Sequence, residues 1–192
     1  MRLVLFLLFA IAVAVGTGLG SAWVLVGEER PFGAVKVGEW AAWPLAGSAA
    51  DADPYARAWA ARTGEIPLGA GEGMAFTATR DSVGRPLVGT CDYELSGETA
   101  AARLWTLTVL DKTGDLAPNP AGRTGFHSRE LLRAPDGRFE IKLSPFARAG
   151  NWMPTPAAGP LQVVLRLYDT PLALSSGTGG LVMPRIVRGT CR

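Results

Sequence analysis

The pattern of apolar and polar positions divides the chain into an uncharged N-terminal segment and a longer region of β-type patterns. No charged residue occurs from residue 3 to residue 26. At about 1.5 Å per helical residue, this stretch can cross the roughly 30 Å hydrocarbon core of a bilayer. The pattern predicts a transmembrane anchor over residues 1–26, with residues 3–26 in contact with the membrane.

The charges around this segment predict its orientation. Arg2 and the terminal amine precede it, while Glu28, Glu29 and a single Arg30 follow it. The positive-inside rule then places the N-terminus in the cytoplasm. The expected location is a bacterial-type inner membrane crossed once, with the C-terminal domain outside the cytoplasm, in the periplasm.

A signal peptide is the alternative interpretation of the same segment. Gly20, Ser21 and Ala22 resemble a small-residue cleavage site. Apolar residues continue beyond that site through 23–26, and Trp23 suits an interfacial anchor. Both interpretations export the domain that follows.

Two glycines give the apolar segment a second feature. Gly16 and Gly20 are four residues apart, so they share one helix face and allow close approach of a second helix. This spacing suggests a homodimer, although glycines are also common in membrane helices without any such role.

The region after the membrane segment begins with a predicted linker over residues 27–50. It carries Trp40 and Trp43, which we expect to dock on the domain or to lie at the lipid surface.

One short soluble helix is predicted next. Asp51 or Asp53 can cap it, Pro54 suits its first position, and Gly64 suits its end. Its apolar face is expected to pack on a sheet. That face carries Tyr55, Ala58 and Trp59.

Short alternating segments separated by turn residues follow from residue 75 onward. The predicted strands cover residues 75–80, 91–95, 104–110, 138–144, 161–168 and 181–187, and residues 128–133 form a strand or a turn. This pattern is typical of a mainly β fold. We predict a jelly-roll-like antiparallel sandwich with one short helix over residues 51–192.

Composition supports a packed domain and argues against one class of partner. Hydrophobic residues make up 48% of the 192 residues and charged residues 19%. The net charge is +2, with basic residues scattered singly. Nucleic acid is therefore not an expected partner.

The two cysteines, Cys91 and Cys191, are predicted to form a disulfide in an exported domain, although two buried thiols would also fit their number. Two cysteines and one histidine are too few for a typical zinc site. Residues 111–115 lack the ligand spacing of a calcium loop. We predict no metal and no cofactor.

Candidate binding residues lie in two loops. Asn119 and Arg123 precede His127, the single histidine, which could equally be a plain surface residue. Asn151 and Trp152 lie in a stiff, proline-containing segment that can hold polar groups in place.

A third candidate group lies on a predicted strand. Arg166 and Tyr168 share one strand face, and Asp169 follows them. A cation in an apolar strand needs a partner. Arg166 is therefore either a structural tie to a carboxylate or carbonyl, or part of a ligand-facing site.

Several of these segments together resemble the domain-of-unknown-function 1214 family, over roughly residues 71–171 and more loosely at the C-terminal end. The segments that carry the resemblance are Leu104-Trp105-Thr106-Leu107-Thr108, Asn119-Pro120 with Arg123, Asp136-Gly137-Arg138-Phe139, Asn151-Trp152-Met153-Pro154-Thr155-Pro156 and Leu165-Arg166-Leu167-Tyr168. The resemblance implies a jelly-roll sandwich but no established reaction. In larger members a second domain comes first, whereas the apolar segment here resembles a short membrane-anchored subgroup.

Three functions remain open at the level of sequence. The first is a module that binds an envelope glycan, lipid or protein. The second is a hydrolase or lyase of envelope polymer, for which Arg123, His127, Arg166 and Asp169 are the candidate groups. No short catalytic motif supports it. The third is a structural subunit of a membrane assembly.

Overall fold

The computed structural model describes residues 2–27, 32–69, 71–119, 121–171 and 181–192. An N-terminal helix precedes two β-sheets that enclose one hydrophobic core, which confirms the predicted mainly β fold. The elements are α1 (Arg2–Gly27), β1 (Val35–Val37), β2 (Trp40–Ala42), α2 (Pro54–Thr63), β3 (Gly73–Ala78), β4 (Cys91–Gly97), β5 (Leu104–Leu110), β6 (Gly125–His127), β7 (Phe139–Ser144), β8 (Asn151–Pro154), β9 (Gln162–Tyr168) and β10 (Arg185–Cys191).

The strands form a six-stranded and a four-stranded sheet. Their orders are β1-β2-β3-β9-β5-β6 and β10-β4-β7-β8. Neighbouring strands in the described residues are antiparallel, with the exception of β7 and β8, which are parallel. The predicted antiparallel sandwich is therefore confirmed with this one parallel pair as an exception, and the strand order is compatible with a jelly roll.

Alternation along the strands produces the core between the sheets. On β5 every second side chain is buried, and β7 buries every second side chain over most of its length in the other sheet. Full burial of a large apolar side chain contributes about 1.5–3 kcal/mol, so this facing pair anchors the sandwich. The inward residues of the two strands are Trp105, Leu107, Val109, Phe139, Ile141 and Leu143.

The segment predicted as a linker contains two strands of the six-stranded sheet. β1 and β2 lie within residues 27–50 and continue the sheet outward from β3. Trp40 is 1% exposed, and its Nε1 donates to the carbonyl oxygen of Pro184 at 2.7 Å. Much of this segment thus belongs to the sandwich, and the expected docking of Trp40 is confirmed.

Helix α2 has the predicted ends but not the predicted packing. Asp53 caps it, since its side chain accepts from the backbone N–H groups of Tyr55 and Ala56, and Gly64 ends it at φ 70°. Ala58, however, is exposed, and Ala56 is the one buried residue of the helix. The expected packing of this apolar face on the sheet is therefore wrong, because α2 lies against the end of α1 instead.

Helix α1 is long and apolar enough to cross a membrane, and none of its apolar span is buried inside the protein. A membrane anchor and a signal sequence both fit this description. Three of the charges that predict its orientation, Glu28, Glu29 and Arg30, lie outside the described residues.

A buried carboxylate links the two sheets. Asp81 follows β3 and is 1% exposed, and its Oδ2 lies 3.1 Å from Nε of Arg188 on β10. Burial raises the pKa of Asp81, but hydrogen bonds from Arg85 and Val83 outweigh this and hold the pKa below its ordinary value of 3.8. The carboxylate is therefore stabilised in its charged form.

A second tie lies beside the first. Oε1 of Glu39, in the β1–β2 turn, accepts from the backbone N–H of Ile186 at 2.7 Å and from the Ser82 hydroxyl at 2.5 Å. Ser82 N–H in turn donates to the Ile186 carbonyl at 2.8 Å. Turns of the six-stranded sheet thereby bond the backbone of Ile186 at the free edge of β10, where another strand could otherwise pair.

The predicted disulfide closes the other end of β10. Cys91 on β4 and Cys191 on β10 are register partners, and their sulfur atoms are bonded at 1.98 Å. The bridge spans a sequence separation of 100 residues. Cys91 is buried, whereas Cys191 is exposed.

Loss of this bridge should lower the melting temperature. In the chain-entropy model a loop of this length is worth up to about 4.7 kcal/mol, or on the order of 10 °C for a domain of this size. Cys191→Ser should match the reduced wild type in a thermal melt, because the exposed Cys191 side chain contributes little packing of its own. A Cys191→Ser variant that melts like the oxidised wild type would contradict the assignment.

Replacement of the buried carboxylate tests the link between the sheets. Asp81→Asn should lower the free energy of unfolding by about 3 kcal/mol, because it leaves Arg188 without its counter-charge. The contribution of the Asp81 carboxylate to stability should be complete above pH 3.8, its ordinary pKa, and should be lost as pH drops through the lower folded pKa.

Urea unfolding between pH 3 and 7 measures both effects. Asp81→Asn should show a shallower loss of stability in acid than the wild type. The exposed Asp136→Asn serves as the control and should track the wild type. Equal acid slopes for wild type and Asp81→Asn would rule out Asp81 as the titrating group.

Candidate functional site

The candidate residues from sequence are divided between the two sheets. Asn151 and Trp152 lie on β8 of the four-stranded sheet, whereas His127, Arg166 and Tyr168 lie on β6 and β9 of the six-stranded sheet. They therefore do not form one site.

Asn151 is a structural residue in this fold. Its Oδ1 accepts from Leu132 N–H at 2.8 Å, and its Nδ2 donates to the carbonyl oxygens of Leu132 at 2.8 Å and Glu140 at 2.9 Å. The side chain is 9% exposed. An amide with three such bonds holds the segment around Leu132 onto β7 and has little capacity left for a ligand.

Trp152 is held in a similar way. Its Nε1 donates to the Ser144 carbonyl at 2.9 Å, and its ring is partly buried beside β7. The indole N–H is the only polar group of this side chain, so its one hydrogen bond is made inside the protein. In the structure this pair fixes the parallel strand β8, and its binding role stays a prediction.

The loop with Asn119 and Arg123 is also internally bonded. Nδ2 of Asn119 donates to the carbonyl oxygen of Arg123 at 2.8 Å, and the Arg123 guanidinium lies 4.5 Å from the Phe126 ring centroid. These contacts close the loop on itself. Pro120, between them, lies outside the described residues.

His127 ends β6 and is bonded within a local turn. Its Nε2 lies 3.5 Å from Oε2 of Glu130, and its Nδ1 accepts from Arg129 N–H at 3.3 Å. His127 and Arg166 are both register partners of Thr106, on opposite sides of it. Two strand spacings, roughly 10 Å, therefore separate their backbones.

The cluster proposed for catalysis is not assembled. Asp169 forms an exposed ion pair with Arg103 at 3.0 Å, at the end of β9. Tyr168 lies on the Arg166 face but opposite Leu104 and Gly73. Of Arg123, His127, Arg166 and Asp169, only Arg166 lines the groove described next.

A groove of about 720 Å³, here called the helix groove, lies between α2 and the outer face of the six-stranded sheet. Its wall is formed by α2 and the segment after it, its far rim by the turn at residues 112–115, and its floor by β3 and β9. The residues used below are Trp59, Arg62, Ile66, Lys112, Val164 and Arg166.

Local sequence explains the shape of the groove wall. Gly64 ends α2 in the left-handed conformation, so the chain leaves the helix and extends to Ile66, which is 92% exposed. Trp59 is oriented by a hydrogen bond from Nε1 to Oε2 of Glu65 at 3.3 Å. The wall therefore carries a large apolar surface.

The floor of the groove combines an apolar patch with one cation. Val164 points outward by strand alternation, yet it is only 5% exposed, because it lies at the base of the groove. Arg166 lies beside it and donates from NH1 to the Thr108 hydroxyl at 3.1 Å. No carboxylate of the described residues pairs with Arg166, so the carboxylate tie predicted as one alternative is absent from that part of the chain.

The rim turn is built from its own hydrogen bonds. Asp111 Oδ1 accepts from the Thr113 hydroxyl at 2.6 Å and from the N–H groups of Thr113 and Asp115. The Thr113 hydroxyl is the main cause of the lowered pKa of Asp111. Within the described residues no group of three metal-ligating side chains occurs, here or elsewhere.

A second, shallower groove of about 590 Å³ lies on the outer face of the four-stranded sheet. Its cations are mostly bonded already: Arg138 lies 3.6 Å from both Glu98 and Asp136, and Lys142 lies 3.2 Å from Glu140. This outer groove is therefore the weaker candidate for a charged ligand.

Sequence reasoning missed the helix groove as a unit. Its walls come from residues near 60, 112 and 165, and only the fold brings them together. The available signals were the isolated Arg166 and the position of Arg62 at the end of an apolar helix face.

Removal of the Asn151 amide tests its structural role. Asn151→Ala should lower the free energy of unfolding by about 2–4 kcal/mol, since three buried hydrogen bonds are lost at roughly 1 kcal/mol each or somewhat more. Urea unfolding measures this, with Arg138→Ala as the surface control. Unchanged stability would contradict the structural assignment and restore Asn151 as a binding candidate.

The structure is similar to that of the VPA0106 protein from Vibrio parahaemolyticus. The TM-score is 0.59 at 24% identity, over 73% of this chain and 36% of that protein, so this chain spans about a third of it. A putative uncharacterized protein from Burkholderia cenocepacia has a TM-score of 0.42 at 18% identity, over 95% of this chain and 52% of that one. The first likeness supports the fold alone.

No curated protein matches the sequence. The family described as "Protein of unknown function (DUF1214)" matches residues 72–172, which is more than half of the chain and nearly the range expected from the motifs. By this match the chain belongs to the DUF1214 family.

Proposed function

We propose that this protein is a membrane-anchored binding module that takes its ligand in the helix groove. Residues 3–26 would hold it in a bacterial-type inner membrane, with the sandwich on the periplasmic side. The ligand is a component of the envelope: a glycan, a lipid or a protein segment.

Contacts between α1 and α2 support a retained anchor. Arg62 NH1 donates to the Val26 carbonyl at 3.2 Å, and the Arg62 guanidinium lies 5.2 Å from the Trp23 ring centroid. A cleaved signal peptide makes no lasting contact with the mature domain. The periplasmic orientation is supported by Arg2 on one side of the span and the acidic residues Glu28 and Glu29 on the other.

Arg166 is the single observation that carries the binding proposal. Its guanidinium is partly buried on the floor of a groove, with one neutral hydroxyl, that of Thr108, as its described side-chain partner. A partly buried guanidinium has five donors and gains most from an anion. The groove volume also falls in the range of roughly 300–1,000 Å³ that is typical of small-molecule sites.

A structural role in a membrane assembly is the second candidate. Gly16 and Gly20 on α1 have open space where a Cβ atom would be, so this face is accessible to a second helix. A homodimer through these glycines would be compatible with ligand binding in the helix groove.

A thermal-shift screen of the full chain in a mild neutral detergent tests the proposal. The panel contains peptidoglycan fragments, envelope sugars, soluble lipid headgroups and divalent metals. A ligand that binds only the folded form at 100 times its Kd adds about 2.7 kcal/mol, or roughly 5–10 °C here. Arg166→Gln should abolish the shift.

Arg138→Gln is the matched control, because it removes the same charge from the outer groove and should keep the shift. A shift that survives Arg166→Gln would move the site away from the helix groove. A shift lost only in Arg138→Gln would place it on the four-stranded sheet.

A further inference from the structure

We propose that the ligand of the helix groove is an anionic phospholipid from the bilayer that holds α1. This inference rests on the proposed binding function and names its ligand class. The headgroup phosphate would lie between Lys112 and Arg166, with an acyl chain along Trp59 and Ile66.

The position of the groove is the first argument. Arg62 lines the groove and also contacts Trp23 and Val26, in the last two turns of α1. A span that starts near residue 3 reaches the opposite bilayer surface at about residues 23–26. The groove wall therefore begins at the level of the lipid headgroups, where Trp is a common interfacial residue.

The charges of the groove are the second argument. Three cations line it, Arg62, Lys112 and Arg166, against the two carboxylates of Glu65 and Asp115. Neither Lys112 nor Arg166 has a carboxylate of the described residues within ion-pair distance. The carboxylate of Asp115 accepts from the Thr113 hydroxyl at 3.0 Å instead. A phosphate would supply the missing anion, since Arg and Lys are its usual partners.

The apolar part of the groove is the third argument. Ile66 is 92% exposed on the wall, Trp59 is partly buried beside it, and Val164 forms the apolar part of the floor. A free phosphate or a sugar phosphate would leave the exposed apolar surface of Ile66 and Trp59 in water. An acyl chain would bury it, and each Å² of apolar area buried contributes about 25 cal/mol of free energy. A lipid therefore fits both the charged and the apolar part of the groove.

Photocrosslinking of the full chain in nanodiscs tests this assignment. The bilayer is phosphatidylcholine with a few mole per cent of a phosphatidylglycerol that carries a diazirine on its acyl chain, and labelled peptides are mapped by mass spectrometry. Labelling of α1 is expected in any case. The inference predicts additional labelling within residues 59–66, and a decrease of at least fivefold there in Lys112→Gln/Arg166→Gln.

Arg138→Gln/Lys142→Gln is the matched control, because it removes two cations from the outer groove and should leave labelling of residues 59–66 unchanged. The single variant Lys112→Gln guards against misfolding, since Lys112 is exposed in a turn and should still lower the labelling. Labelling confined to α1, or equal labelling in wild type and the groove variants, would overturn the lipid assignment.

Soluble ligands separate this inference from the proposed function. Inorganic phosphate and glycerol phosphate are tested by thermal shift on the same preparations. If a soluble ligand protects the wild type but not Arg166→Gln while lipid labels only α1, the groove binds ligands and the lipid assignment is wrong. If neither probe depends on Arg166, the lipid assignment is wrong. If the peptidoglycan fragments and envelope sugars of the thermal-shift panel also give no shift that depends on Arg166, the binding function is wrong as well.

Discussion

The ties between β10 and the six-stranded sheet are the constraint on which the sandwich depends. β10 is the edge strand of the smaller sheet and pairs through its backbone with β4 alone among the described strands. Asp81, following β3, meets Arg188, and Glu39, between β1 and β2, meets Ile186. A charged group buried between layers is stable only when it is paired and hydrogen-bonded, so these contacts specify one relative position of the two sheets.

The register within the six-stranded sheet places the residues on the floor of the helix groove. β3 ends at Ala78, three residues before Asp81. It pairs with β9 so that Thr77 lies opposite Val164 and Ala75 lies opposite Arg166. The same register puts Arg166 across from Thr106 on β5. Because register in a sheet cannot slip by one residue without turning every side chain over, the cation on the groove floor is as well specified as the core beneath it.

The sequence predicts those features that depend on neighbouring residues. Alternation identifies β5 and β7, the sequence from Asp53 to Gly64 carries both ends of α2, and the two cysteines suggest their own pairing. Features that depend on distant segments were missed. β1 and β2 have three residues each, too few to show a period, and the parallel pairing of β8 leaves no local signal.

Asn151 shows why candidate sites are harder to predict than strands. A polar amide in a stiff segment is equally suited to hold a ligand and to hold the protein's own backbone, and only its partners distinguish the two. Here Leu132 and Glu140 take its hydrogen bonds. From sequence, Arg166 could likewise be either structural or ligand-facing. It differs from Asn151 because the neighbouring strand offers it the hydroxyl of Thr108 rather than a carboxylate.

The two sides of the helix groove are carried by different parts of the molecule. Its floor belongs to the sheet, whereas its wall belongs to α2, which Arg62 fastens to the end of α1. A membrane span responds to bilayer thickness by changing its tilt. With α1 in a bilayer, as proposed above, a change in its tilt would reach α2 through the contact of Arg62, and the width of the groove would then depend on the thickness of the membrane.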